Sequence, residues 1–439
     1  MNTKTDLKEK LLKDFSELEK SLNGSANHEL QNIKKDAINT FDELGFPHRK
    51  IEEWRFTHVN QLVKYPFNPD GFFKQIKISK SELEKYLIPK LEVNLVVLVN
   101  GIYDNKLSKI KDDIKGGYIG SLKSALDTHY AELSNLYAKI AGYKKDPFAA
   151  LNTAFANDGV YISVPQDTKL KYPVLILHLT GSDKEEIISQ PRIIINAGKF
   201  STSEIIEISE TVGKKVSFLN SVTEISLAEN SKVSHYKIQN ESDYSFNIGT
   251  TQVLQNQNSI IESYVISWGG ELIRNNFNTL FNGKDSQCFM NGIYLCKGKQ
   301  LIDNHTLADH AVPNCYSNEL YKGIIDDNAA AVFNGKILVR QDAQKTNAYQ
   351  SNKNILLSEK ADINSIPQLE IFADDVKCSH GATTGQLNPD ELFYLRARGI
   401  KEKKAKKILL YAFLEEVIMN INNEPIKAYL EKMLEKKLK

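Results

Sequence analysis

Cysteine is scarce: four residues, Cys288, Cys296, Cys315 and Cys378, in a chain of 439, all in its second half and irregularly spaced. That excludes a disulfide-stapled secreted scaffold, whose cysteines are dense and patterned, and suits a reducing compartment. Charge of one sign is missing too, with 56 Lys and Arg against 55 Asp and Glu. No whole-chain field exists to hold nucleic acid or an anionic membrane, so any such contact has to be local. Long hydrophobic runs are also lacking. The most apolar stretches, such as Leu95 to Val99 and Val174 to Leu179, fall far short of the roughly 18 residues that suggest a membrane span. The opening MNTKTDLKEKLLKDF is charged throughout, without the apolar stretch and small-residue cleavage site of a secretory signal. A cytoplasmic protein with no nucleic-acid or membrane partner is expected.

What is present is ordinary globular material. Hydrophobic residues make up 41% and charged residues 25% of the chain, which excludes a wholly disordered polymer. The length passes the point at which one core stops growing, so at least two structural units are expected.

Leu7, Leu11, Phe15, Leu18 and Leu22 recur at steps of three and four, which predicts a helix ending at Asn23-Gly24. A second stripe, Leu30, Ile33, Ala37, Phe41 and Leu44, stops at Gly45 and Pro47 and completes a helical hairpin. From about Val59 to Tyr143 the signals mix, with a strand candidate at Val93 to Val99 and a helical pattern near Leu122 to Ala141. The character changes at Gly159. Short β-type runs follow: Val160 to Val164, Val174 to Leu179, Arg192 to Asn196, Ser203 to Ile208, Val222 to Leu227, Lys232 to Ile238 and Ser259 to Ile266.

Small polar turns punctuate these runs, including Asn196-Ala-Gly-Lys199, Asn282-Gly-Lys284, Lys297-Gly-Lys299 and Asn334-Gly-Lys336. Measured between Gly198, Asn230, Asn256, Gly283, Gly298 and Gly335, the intervals are 32, 26, 27, 15 and 37 residues. Three of the five approach one turn of a β-solenoid, whose coils bury their inner faces only by stacking. A β-sandwich or meander with ordinary hairpin turns fits the same signals, and periodicity alone does not decide. Strand signals fade after Gly385, and Asn388-Pro389-Asp390-Glu391 reads as a helix start: Asn as cap, Pro at the first position, acids at the positive dipole end. Leu392, Leu395 and Ile400 then lead into an apolar stripe of Ile408, Leu409, Ala412, Phe413, Val417 and Ile421. The expected division is an N-terminal helical and mixed α/β region over 1–158, a β core over 159–387 and a C-terminal helical region over 388–439.

Several groups carry candidate chemistry. His305, His310 and Cys315 give H-x4-H-x4-C with Asp303 and Asp309 nearby, which matches no zinc spacing and is not H-E-x-x-H. Satisfied polar residues in a turn-rich region and a buried small hydrophobe at Cys315 are the plainer reading. Cys378 and His380 stand two apart, so on a strand they share a face, and a His⁺ beside a Cys lowers the thiol pKa toward a thiolate that ligates iron. Two ligands make an incomplete site, which suits completion by another chain. The string Gly292 to Gln300 has five residues between its glycines and Gln in place of the magnesium-binding hydroxyl, so it is no P-loop, and any ATP chemistry has to come from a partner. Lys401, Lys403, Lys404, Lys406 and Lys407 lack interleaved aromatics and read as a solvated helix face. The acid pairs Asp326-Asp327 and Asp374-Asp375 are the basis of an enzyme alternative, glycoside chemistry on a β-helix, weakened because consecutive strand residues face opposite ways.

The segment Ile366 to Gly385 (IPQLEIFADDVKCSHGATTG) with Leu392 to Ile400 (LFYLRARGI) closely resembles the SufB/SufD family. Further family-like pieces are Glu52-Glu-Trp-Arg-Phe-Thr57, Phe148 to Gly159, Gly335-Lys336 to Ala343, and Thr346-Asn347-Ala348, so the resemblance spans nearly the whole chain. It implies a mainly β fold, a right-handed parallel β-helix flanked by N-terminal and C-terminal helical regions. It implies an iron–sulfur assembly scaffold with no catalytic residues and not an enzyme. Such a subunit pairs with SufB through the β-helices and binds the SufC ATPase through its C-terminal helices. By analogy Leu392, Phe393, Leu395, Arg396, Arg398, Gly399 and Ile400 are the SufC-binding candidates, and Cys378 and His380 are the iron or cluster ligands at the SufB junction. No cofactor is expected to stay on this chain alone; the cluster is transient and shared, and a homodimer is possible in isolation. SufB-like members carry a sulfur-accepting cysteine where Leu356 to Ser365 has none, and a glutamate where Gly381 stands here. Both departures match the SufD-like members. A solitary carbohydrate-active β-helix and a plain solenoid adaptor are the alternatives.

Overall fold

The computed structural model of the chain describes residues 6–22, 28–69 and 76–438. From Thr202 onward the backbone alternates between two parallel sheets: Thr202–Thr211 in one, Ser217–Leu227 in the other, and so on to Asp362–Ile371 and Lys377–Gly385. Each strand pairs with the one two elements later, as Tyr316–Ile325 does with Asn347–Leu356. Sequential strands therefore never form hairpins here, and the sandwich is excluded: the core is a parallel β-solenoid. Inward residues of successive coils, among them Val233, Ile261 and Cys288 on one sheet and Ile273, Ile302 and Ala331 on the other, build one continuous interior.

The turns at one corner set the repeat. Phe200, Asn230, Asn258, Asp285, Asn314 and Lys345 all have φ between 56° and 63°, and they follow one another at 27 to 31 residues. Asn and Asp tolerate this left-handed region by local hydrogen bonding, which explains their dominance. The backbone N–H at Phe200, Asn230, Asn258, Asn314 and Lys345 donates to the corner of the next coil. The following residue is Ser, Thr or Cys, and Ser231, Ser286 and Thr346 close their own turns by donating to Ala228, Gly283 and Ala343 carbonyls at 2.7–2.8 Å. The glycine-based markers mix two corners: Gly298 belongs to the opposite turn, which produces the short interval. Asn334-Gly335-Lys336 is no turn at all. It lies inside strand Ala330–Val339, where a Cβ on residue 335 would come within 2.3 Å of the Gln350 amide. The glycine there makes room inside the lumen.

Both helical regions act as covers. Helices Leu7–Leu22 and His28–Leu44, the latter ending at Gly45 with φ 63°, pack with Trp54 and Phe148 on Phe218, Phe246 and Leu272 of one sheet. The Asn23-Gly24 stop lies outside the described residues. The pattern near Leu122 to Ala141 resolves into two short helices, Leu122–Thr128 and Tyr130–Leu133, broken at His129. The C-terminal tail is three helices, Pro389–Ala397, Glu402–Ile418 and Glu424–Lys437. The last two cover Tyr236, Tyr264, Ile293 and Ile324 of the other sheet with Leu410, Leu414, Val417, Leu430 and Leu434, helped by Ile421 in the connection between them. The buried face is thus turned from the expected stripe, since Ile408 and Ala412 are exposed. A helix apolar on several sides does not identify its own inward face.

The N-terminal end of the solenoid is closed. The strand Asn94–Val99 joins one sheet beside Val174–Thr180, and the short antiparallel strands Ile102–Tyr103 and Tyr118–Ser121 finish the two sheets. Underneath, Arg192 is fully buried against Glu224 at 2.7 Å, with Asn152 Oδ1 and Thr153 Oγ1 accepting from its Nη1.

Buried carboxyls accompany this architecture. Burial pushes Glu241 up to about 7 against the lowering effect of its Asn247 hydrogen bond. A raised folded-state pKa stabilises the protonated form, so the contribution is complete below about 4.5 and is lost as pH rises through about 7. Replacing Glu241 by Gln is expected to shift the stability difference in favour of the variant by up to about 3 kcal/mol between pH 4.5 and 8. Thermal unfolding across that range measures it, and a difference that stays constant contradicts the assignment.

Candidate functional site

The C-terminal end differs from the N-terminal end. Strand Asp362–Ile371 pairs only with Ala330–Val339, and Lys377–Gly385 only with Asn347–Leu356. Both sheets stop there with one edge unpaired among the described residues. Between 362 and 386 only Ala373 is buried. Neither helical cover reaches this coil far enough to bury it.

Cys378 and His380 sit on the last strand, in register with Ala348 and Gln350. Ala348 and Gln350 are buried in the lumen, so Cys378 and His380 continue the same inward column at the solenoid's open mouth. Cys378 is half-buried against the interior apolar cluster, whereas His380 is exposed. The thiol is not activated by its neighbour. Half-burial raises Cys378 above the ordinary thiol value, opposed only by a backbone hydrogen bond at Ala348. At neutral pH the thiol therefore stays protonated.

His305, His310 and Cys315 are not brought together. Odd and even positions of strand Leu301–His310 face opposite ways, so His305 points outward and His310 into the lumen. His305 bonds Asp303 at 3.0 Å, beneath the N-terminal segment. His310 stacks on Phe281 at 4.1 Å, donates or accepts at Ser317 over 2.9 Å, and is held far below its usual range by burial, to about 3. Cys315 takes the turn-serine position, its Sγ 3.6 Å from the Gly283 and Pro313 carbonyls. Among the described residues no group of three or more His, Cys, Asp and Glu is placed to hold a metal ion. The acid pairs fall in turns rather than on strands, and Asp327 ties back to the corner of the preceding coil by accepting from the Gly298 N–H at 3.0 Å.

Beyond Gly385 only Gln386, Leu387 and Asn388 separate the last strand from helix Pro389–Ala397, which Asn388 caps through the Asp390 N–H. That helix has no buried residue. Phe393 and Tyr394 are 72% and 58% exposed, Arg398 lies 5.0 Å from the Tyr394 ring, and Leu392, Leu395 and Ile400 are half-buried. Arg396 reaches Glu402 at 3.6 Å, and Gly399 makes the bend with φ 85°. Such an aromatic and cationic surface is unusual for a solvated helix and characteristic of an interface.

Residues 179–413 match the family described as "SUF system FeS cluster assembly, SufBD core domain", and residues 5–176 match "SufBD protein N-terminal region". The chain belongs to the SufBD family. A SufBD family iron–sulfur cluster assembly protein of Synechocystis is 33% identical over 91% of this chain and 89% of its own. The SufD proteins of Escherichia coli and Bacillus subtilis are 29% and 24% identical, over 87% and 100% of each chain. The protein therefore has a role in iron–sulfur cluster assembly within the SUF system.

The family segments now have physical roles. In the Glu52–Thr57 piece, Trp54 lies under the Arg274 guanidinium at 3.8 Å, and Arg274 donates to the Glu53 carbonyl at 2.7 Å. Arg274 and the Thr57 hydroxyl both donate to Asp303, at 2.6 and 2.5 Å, which clamps the N-terminal segment to the solenoid. Sequence reasoning missed Arg274 and set Asp303 beside His305 as a metal-capable neighbour instead of a clamp, because nothing local in the sequence shows that residues about 29 apart stack in one column. The corner repeat of Asn or Asp followed by Ser, Thr or Cys would have supplied that register. Cys288, Cys296 and Cys315 are buried and pushed up by desolvation, Cys315 to about 11. Alkylation of the folded chain at pH 7.5 is expected to modify Cys378 alone, and more slowly than a free thiol. Rapid labelling of Cys378, or any labelling of the other three before unfolding, contradicts these environments.

Proposed function

We propose that this chain is a SufD-type scaffold subunit whose open coil end joins SufB and whose C-terminal helices dock the SufC ATPase, so that a nascent cluster forms where Cys378 and His380 emerge. The observation that carries it is that both sheets end in unpaired parallel strands at one mouth, with a soft and a borderline iron ligand on the inward column there. An exposed sheet edge is a pairing template, and solenoids need a terminal cap to stay soluble. A second solenoid supplies that cap and the missing ligands together. In this reading the iron and sulfide are cargo, the chain catalyses nothing itself, and it keeps no cofactor once the cluster leaves. In the absence of SufB, the same edges fit a second copy of this chain.

The ligand strand and the docking helix are mechanically close. A force applied to Phe393, Tyr394 and Arg398 is passed through three linker residues to a strand held along only one edge. ATP-driven movement of SufC would change the exposure of Cys378 and His380 by that route. No helix among the described residues is long and apolar enough to cross a membrane, and the even charge balance suits a cytoplasmic protein complex with no membrane or nucleic-acid partner.

Two experiments test the reading. In a complex of this chain with SufB and SufC reconstituted anaerobically with iron and sulfide, His380→Ala is expected to lower cluster content several-fold; unchanged content removes the ligand role. Deleting residues 388–439 is expected to abolish SufC capture, and retained capture removes the docking assignment.

A further inference from the structure

Gln350 is 3% exposed and lies directly beneath His380, one strand back in the same inward column. Its Nε2 donates to Glu319 Oε2 of the preceding coil at 2.7 Å. Its Oε1 is buried with no hydrogen-bond partner. An amide fastened through its nitrogen to the coil behind presents its oxygen toward the coil ahead, and the coil ahead is Lys377–Gly385. The His380 ring has no hydrogen-bond partner among the described residues, its backbone alone being paired in the ladder.

Neighbouring strands lie about 4.8 Å apart, within reach of a Gln and a His side chain in one column. A buried acceptor left unmet costs roughly 1–3 kcal/mol, so a donor at that distance is strongly favoured. The lumen is shaped for this arrangement: Gly335, across from Gln350, has no Cβ, and one placed there would stand 2.3 Å from Gln350 Nε2. Glu319 is itself fully enclosed and presents the acceptor that fixes which way the amide is turned.

We propose that Gln350 is the positioning residue for His380: its side-chain carbonyl accepts the imidazole N–H on the lumen side, fixes the tautomer, and turns the other ring nitrogen out of the mouth. Metal-bound histidines commonly give their second N–H to such an acceptor, and losing it weakens metal binding by about 10- to 100-fold. Its purpose rests on His380 being a ligand, but the contact needs no metal: Gln350 Oε1 and the His380 ring are both unpartnered among the described residues, and the bond forms when the two side chains turn toward each other. Glu319, Gln350 and His380 then form one line across three coils, and the ligand at the open end is oriented from inside the closed solenoid.

The test begins with the full-length, iron-free chain labelled with 15N-histidine, the His380 signals being identified by their loss in His380→Ala. The wild type is expected to show one neutral tautomer, with widely separated ring-nitrogen shifts. Gln350→Leu, similar in size and without the acceptor, is expected to show an averaged mixture, and Gln350→Glu to restore a single tautomer. Gly335→Ala crowds the amide while leaving Gln350 chemically intact and is expected to reproduce the mixture; thermal midpoints confirm that each variant is folded. In the complex with SufB and SufC, Gln350→Leu is expected to weaken iron binding by about 10-fold or more. A His380 tautomer indifferent to both Gln350→Leu and Gly335→Ala overturns the proposal. A tautomer that responds, with iron binding untouched by His380→Ala, upholds the contact and defeats only the ligand reading.

Discussion

A stack of parallel coils has to end, and the way it ends governs the rest of this structure. Each coil satisfies its backbone groups only through the coils above and below. The N-terminal end is finished by two short antiparallel strands, Ile102–Tyr103 and Tyr118–Ser121, beneath helices. Among the described residues the C-terminal end has no such device. Asp362–Ile371 and Lys377–Gly385 carry unpaired edges, and almost none of their residues is buried. One edge is covered and the other is open, and an open edge is a template for pairing with another chain.

The chemistry follows from that asymmetry. Cys378 and His380 are inward residues of a coil that nothing closes, so they are both part of the lumen's column and accessible from outside. The same residue types one coil or more earlier are inert: Cys288 stands in the Cys378 column three strands back and is fully buried, and His310 is enclosed against Phe281. Position along the stack, rather than residue identity, separates a structural thiol or imidazole from a candidate ligand. Helix Pro389–Ala397 leaves the same strand after three residues, so its exposed aromatic face and the Cys378–His380 column belong to one edge of the solenoid.

Part of this was legible in the sequence. The hairpin stripe from Leu30 to Leu44, the Asn388 cap and the run of short strands after Gly159 are local patterns, and local patterns survive without tertiary information. The solenoid was not decided by spacing, because glycines serve three different needs here. Gly283 and Gly298 lie at opposite corners, and Gly335 makes space inside a strand. The corner repeat is carried instead by Asn230-Ser231, Asn258-Ser259, Asp285-Ser286 and Asn314-Cys315, where the first residue accepts φ near 60° and the second closes the turn. That repeat also explains Cys315 without metal. Gln350 and the Arg274–Asp303 clamp stayed hidden because their partners are long-range, and the C-terminal stripe was misaligned because its helix is apolar on more than one side.

In the proposed complex the two terminal edges are completed by strand pairing with SufB. Backbone hydrogen exchange of residues 362–371 and 377–385, in the chain alone and mixed with SufB, tests it most directly. The account expects fast exchange at these edge amides in isolation and marked protection on mixing, while Ala330–Val339 and Asn347–Leu356 stay protected throughout. Edge amides that exchange equally fast in both samples, although the two proteins associate, would contradict it.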